Sequence, residues 1–190
     1  MVESSNAEQL VRLVMTESLS TSLDAALFSN IAGDATRPPG LLNVITPITA
    51  ATGGGLSAMA TDIGKLVGAV SAACGLDLVF VTDPGTATRM KMQVMPGFDF
   101  DVLASNSVPA GTVICVGLPG LVSAGEPQPR IDASSDIELS MDTVPSDPGS
   151  GTTLVKSMFQ VDEIAIRFVA EMSWALRTPS AIAFIQNITW

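Results

Sequence analysis

The sequence predicts an α+β protein with a mixed or antiparallel sheet, and three patterns predict it. Asn6 to Phe28 holds good helix formers with no internal Gly or Pro, which reads as one long helix. Ile63, Leu66, Val67, Val70 and Cys74 repeat at i, i+3, i+4, i+7 and i+11 before Gly75, the spacing of a second helix with one buried face. From Ile164 to Leu176 the chain alternates. Ile164, Ile166, Phe168, Ala170, Met172, Trp174 and Leu176 share one face, and Glu163, Arg167, Glu171, Ser173 and Arg177 share the other. A single strand of that length spans roughly 40 Å, well beyond the usual five or six residues, and predicts an elongated body.

The elements follow in order. In the first helix Leu10, Leu13 and Val14 point one way, whereas Leu19, Leu23, Ala26 and Leu27 point nearly the opposite way. Such a helix meets different neighbours along its length, or bends near Glu17-Ser18. Ser29-Asn30 ends it. Arg37-Pro38-Pro39-Gly40 is a turn, Leu41 to Ile45 a short extended segment and Gly53-Gly54-Gly55 a loop. The GxxxxGK[ST] pattern of a phosphate-cradling loop is absent. Thr61 or Asp62 caps the second helix. Leu76 to Val81 follows as a buried strand, and Thr82-Asp83-Pro84 supplies a cap and an N1 proline for a short helix to about Met92. Asp83 therefore reads as a structural cap before a catalytic acid. Asp101 to Ala104 and Thr112 to Val116 are strands, with a turn at Pro109-Ala110-Gly111 between them. Pro129 to Met141 alternates through Ile131, Ala133, Ile137, Leu139 and Met141, slipping at Ser134-Ser135 as a bulge would. Pro145 to Gly151 reads as an exposed loop.

Length and composition narrow the function. A chain of 190 residues fits one large domain or two small lobes. With 47% hydrophobic and 15% charged residues it lies at the apolar end for a soluble protein, through a well-filled core or through apolar surface kept for a partner. The net charge is −10, and nine scattered Lys and Arg form no cluster for phosphate. Sequence-specific nucleic-acid contact is not expected. No apolar stretch reaches the ~18 residues of a membrane span, and no signal-like segment opens the chain, so no membrane partner is expected. Cys74 and Cys115 sit among apolar neighbours and read as buried small hydrophobes. His is absent, which excludes Ser-His and Cys-His triads and His-ligated zinc. No metal or cofactor is expected.

Four segments, in order along the chain, resemble those of tailed-phage major capsid proteins with the Hong Kong 97 type fold. They begin with Leu23-Asp24-Ala25-Ala26-Leu27-Phe28, Gly33-Asp34 and Pro39-Gly40-Leu41-Leu42. Val81-Thr82-Asp83-Pro84 and Pro109-Ala110-Gly111-Thr112 follow. The ending comprises Ser157-Met158-Phe159-Gln160, Ala165-Ile166-Arg167, Trp174-Ala175-Leu176-Arg177 and Pro179-Ser180-Ala181-Ile182-Ala183. The resemblance covers almost the whole chain. It implies an axial domain plus part of the elongated peripheral domain. Residues 1–30 would be the peripheral spine helix, 31–127 the axial domain, 128–176 the long antiparallel peripheral strands, and 177–190 a return to the axial domain. Nothing corresponds to the family's N-terminal arm or extended loop. Both would lie upstream of Met1, so the expectation is the C-terminal portion of a longer capsid protein.

The function that the resemblance implies is geometric. A major capsid subunit of a tailed phage or prophage self-assembles into an icosahedral shell enclosing DNA, in the virion after assembly in the bacterial host cytoplasm. Its partners would be copies of itself and other phage head proteins, and no enzymatic activity is implied. Encapsulin-type nanocompartments share the fold and are the nearest alternative, distinguished by their contents. A carboxylate-based hydrolase is the distant one. Glu163 and Glu171 lie eight residues apart, roughly 26 Å along a strand and too far for paired glycosidase carboxylates. The charged face of Glu163, Arg167, Glu171 and Arg177 is instead the candidate subunit interface, or a solvated face. Some family members cross-link subunits through a Lys to Asn isopeptide bond. That Lys belongs to the missing extended loop, so none of Lys65, Lys91 or Lys156 takes the role.

Overall fold

A computed structural model describes residues 5–93, 98–125, 130–134, 136–140, 155–161, 165–169 and 171–190. The chain divides into two compact units, residues 1–124 with 173–190, and residues 125–172. In chain order the helices are α1 (Ser5–Leu27), α2 (Gly55–Cys74), α3 (Pro84–Met92) and α4 (Met158–Val161). The strands are β1 (Leu78–Thr82), β2 (Asp101–Ala104), β3 (Val113–Gly117), β4 (Leu121–Gly125), β5 (Arg130–Ser134), β6 (Glu138–Ser140), β7 (Val155–Ser157), β8 (Ala165–Val169), β9 (Met172–Leu176) and β10 (Ile182–Ile185).

The larger unit is built on a mixed four-stranded sheet in the order β10-β3-β1-β2. β1 runs parallel to β2 and antiparallel to β3, and β10 runs antiparallel to β3. Its central strands are near-continuous apolar runs because both faces are covered. Leu78, Phe80, Val113, Cys115, Ala183 and Ile185 face the buried stripe of α2, with Met59, Ile63, Leu66 and Val70. The alternate residues Val81, Ile114, Val116, Ile182 and Phe184 meet Leu41, Leu42, Trp174 and the last turns of α1. Period-two strands and a helix with a 3.6-residue period thus interlock in three layers.

Local chemistry explains the ends of these elements. Asp83 accepts a hydrogen bond from the Thr86 N–H at 3.1 Å, and Pro84 occupies the first turn of α3, as expected. α2 departs from expectation because it begins at Gly55, not after Thr61 or Asp62. Gly53, Gly54 and Gly55 all hold positive φ, which turns the chain into the helix without a side-chain cap. Asp62 is then an interior helix residue, fully buried. Leu41 to Ile45 is a turn and not an extended segment, closed by N–H donations from Asn43 to the Gly40 carbonyl and from Ile45 to the Leu42 carbonyl. Gly40 is required there. A Cβ at this position would collide with the Ser29 carbonyl oxygen, so only Gly lets the turn pass against the end of α1.

Among the described residues, the smaller unit holds two ribbons, β5 with β8 and β6 with β7, both antiparallel, and the short α4. The long alternating run is therefore not one strand. It divides into β8 and β9, five residues each, and β9 pairs with β4 instead. The partner side carries Pro127 and Pro129 between β4 and β5, and a proline lacks the N–H that a continuous ladder needs. The alternation at 129–141 likewise gives two strands, β5 and β6, each paired with a different neighbour. Ser135, Met141, the loop at Pro145 to Gly151, Ile164 and Ala170 lie outside the described residues.

Candidate functional site

The charged residues singled out by the sequence separate between the two units. Arg167 on β8 is exposed and stands opposite Asp132 of β5 in the ladder. Asp132 is itself paired with the Arg130 Nε at 3.1 Å. Glu171 is exposed between β8 and β9, in the smaller unit. Arg177 follows β9 in the larger unit, where its Nη1 donates to the Pro119 carbonyl at 3.2 Å and its backbone N–H to the Gly120 carbonyl at 2.8 Å. Glu163 lies outside the described residues.

Apolar surface is the more prominent feature of the larger unit. Leu23, Ala26 and Leu27 of α1 pack on the sheet, whereas Leu10, Leu13 and Val14 are 61%, 56% and 54% exposed. The two directions of the α1 stripe read from sequence thus also separate along its length: residues 9–18 are exposed on every side apart from half-buried Met15, and only the last turns pack on the sheet. Val44 was not legible in the sequence. It holds φ at +61°, a conformation that β-branched residues avoid, and its side chain is 89% exposed. Beside it a cleft of about 310 Å³ is lined by Pro39, Leu41, Ile45, Trp174, Leu176 and Pro179. Among the described residues its lining side chains are apolar or uncharged.

The buried polar groups are structural. Asp62 accepts from the Trp190 indole N–H at 3.0 Å, the Ala51 N–H at 2.7 Å and Lys65 Nζ at 3.4 Å. This ties α2 to the preceding loop and to the end of the chain. The Trp190 carbonyl oxygen accepts in turn from Arg89 Nη1 at 3.1 Å. The Trp174 indole N–H, donating to the Pro39 carbonyl at 2.8 Å, fastens β9 to the Pro-Pro-Gly turn. The only sequence signal for these two anchors was that a buried Trp needs an acceptor. Burial pushes the Asp83 carboxyl up, but the hydrogen bonds from Thr86, Gly111 and Gly85 outweigh it and hold the group below its ordinary value. Burial, with Cys74 nearby, pushes the Cys115 thiol up to about 12, so it stays protonated and unreactive at neutral pH. Among the described residues no group of three or more His, Cys, Asp and Glu side chains could hold a metal ion, and no helix is long and apolar enough to cross a membrane.

No protein-family model matches the chain. Over 97 residues it is 27% identical to the capsid polyprotein of Pseudomonas phage PAJU2, covering 49% of this chain and 14% of that polyprotein. Among solved structures, the capsid of an empty GTA particle matches 99% of this chain and 69% of its own, with a TM-score of 0.60 at 15% identity. The fold is the Hong Kong 97 fold. An encapsulin complex from Synechococcus elongatus matches 98% of this chain and 67% of its own, with a TM-score of 0.60 at 14% identity. The expected α+β class is borne out by these neighbours and by the mixed sheet. The chain spans about a seventh of the polyprotein it matches.

Proposed function

We propose that this chain is a shell subunit, the major capsid protein of a tailed phage or prophage, which assembles with copies of itself into an icosahedral particle enclosing DNA. The observation that carries the reading is the match of 99% of the chain to the capsid subunit of a GTA particle. The polyprotein similarity points the same way. In this reading residues 31–127 with 177–190 are the axial domain, and 1–30 with 128–176 belong to the peripheral domain. Glu163, Arg167, Glu171 and Arg177 serve contacts between subunits. Other head proteins are further partners. The virion is the final location, reached after assembly in the bacterial cytoplasm, and the chain has no catalytic task.

Shell assembly suits the surface. A monomer gains nothing from an open Leu10, Leu13 and Val14 face, whereas many moderate interfaces sum to a closed particle. Electron microscopy of the natural full-length product tests this. Closed particles containing DNA are the expected result, and a monomer under all assembly conditions would overturn it. The match to an encapsulin, equal in TM-score, favours one second reading, a protein-filled nanocompartment. Nuclease-protected nucleic acid inside the particles, as against a protein cargo, separates the two.

A further inference from the structure

Val44 is a residue whose side chain the fold of the larger unit does not use. Its φ of +61° is a conformation that Gly or Asn adopts cheaply and a β-branched residue adopts only under constraint. With the residue 89% exposed, the side chain returns almost no packing. The turn that carries it is nevertheless fixed from several directions. The Asn43 N–H donates to the Gly40 carbonyl at 3.0 Å and the Ile45 N–H to the Leu42 carbonyl at 3.2 Å. Gly40 lies against Ser29, and the Trp174 indole N–H donates to the Pro39 carbonyl at 2.8 Å. An apolar side chain is thus held rigidly out into water, at a position where Gly would relieve the strain.

The cleft of about 310 Å³ beside it supplies a socket on the same turn. Val44 stands on its rim, Ile45, Trp174 and Leu176 form part of its wall, and none of its lining residues is charged. That neutrality selects the occupant. Copies of a chain with a net charge of −10 repel one another, so they meet at least cost through a face free of carboxylates. A cationic partner would find no carboxylate in the cleft to pair with. A knob and a socket side by side are also self-complementary. One two-fold axis seats the Val44 of each copy in the cleft of the other, whereas a head-to-tail contact leaves one knob and one cleft open in every pair. We infer that the Val44 turn and its neighbouring cleft form an isologous contact between two copies of this chain, each Val44 side chain entering the cleft of the other. The contact is small, so by itself it holds a weak dimer, as suits one of many interfaces in a closed shell. It rests on the shell reading for its biological setting and adds the surface, the symmetry and the residue that engages.

Sedimentation of the full chain from about 10 µM to about 1 mM covers the range of such weak contacts. The wild type should pass from monomer to dimer and stop there. Val44→Gly should weaken the dimer about 100-fold, because two apolar side chains lose their burial in each pair, while its unfolding midpoint does not fall. A Val44 needed for folding alone would lower the midpoint and leave association unchanged. Ala175→Phe, which narrows the cleft from an exposed wall position, should weaken the dimer similarly. Mixing the two variants should give association about tenfold stronger than either alone, since the intact Val44 of one chain then meets the open cleft of the other. Leu56→Asp, at an exposed position of α2 across the sheet from the cleft, should change nothing. A monomer at every concentration, Val44→Gly associating like the wild type, or a mixture no stronger than its components would overturn the contact. Growth beyond the dimer that Val44→Gly abolishes would overturn its two-fold symmetry. If the natural full-length product carrying Val44→Gly closes into particles as readily as the wild type, the shell reading stands and this contact falls. Dimers that show the complementation, in a product that never closes into particles, do the reverse.

Discussion

Replacing Asp62 by Ala should destabilise the larger unit by about 3 kcal/mol, a large part of the 5–15 kcal/mol that holds a typical domain together. The estimate is built from the partners left behind. The Trp190 indole N–H is in a buried pair and loses its acceptor, which costs about 2 kcal/mol. The Ala51 N–H, partly buried, loses a 2.7 Å bond for about 1 kcal/mol more. Lys65 contributes little because its side chain is 38% exposed and also reaches the Thr49 carbonyl. Urea unfolding followed by tryptophan fluorescence and circular dichroism gives the difference from the shift in midpoint at unchanged slope. Trp190→Phe keeps most of the ring packing and removes the donor. The double-mutant cycle with Asp62→Ala should show coupling of about 1–2 kcal/mol. A loss under about 1 kcal/mol for Asp62→Ala, or additive single effects, would refute the view that this carboxylate anchors the end of the chain.

Three further outcomes follow from the geometry. Gly40→Ala should lose about 2–3 kcal/mol in the same assay, because the new methyl meets the Ser29 backbone carbonyl, which cannot swing aside as the Ser29 hydroxyl beside it can. Val44→Gly should gain about 1 kcal/mol, the relieved positive-φ strain exceeding the added flexibility of Gly, with little packing lost from a side chain so exposed. Asp83→Ala should cost about 1 kcal/mol at neutral pH through loss of the α3 cap. Because the folded carboxyl lies below its ordinary 3.8, that contribution is present above pH 3.8 and disappears as pH falls through the folded value. Unfolding curves of the two proteins should converge in strong acid, and a constant gap across the acid range would contradict the assignment.

Much of the fold follows from local pattern. The helical spacing from Ile63 to Cys74, the Asp83-Pro84 cap and the apolar runs at 78–82 and 113–117 state their own structure, because neighbours in sequence determine periodicity and capping. The two directions of the α1 apolar stripe were also legible, since a side chain's angular position is fixed once a helix is assumed; that the first half stays uncovered on every side was not. The sequence alone likewise excluded histidine-dependent chemistry by its lack of that residue. Tertiary structure decided everything that depends on residues far apart. Alternation from Ile164 to Leu176 shows which side chains share a face but not which strand lies alongside, and two different partners, β5 and β4, make it two strands. Asp62 looked like a cap because Asp favours that position. It becomes an interior anchor because Trp190, 128 residues away, brings its indole N–H against it. Val44 could be placed in its unfavourable conformation only by the turn that Gly40 packs against Ser29. The charged face divides for the same reason. Parity along the chain grouped Arg167, Glu171 and Arg177, and the division of the fold into two compact units places the first two in one and the third in the other.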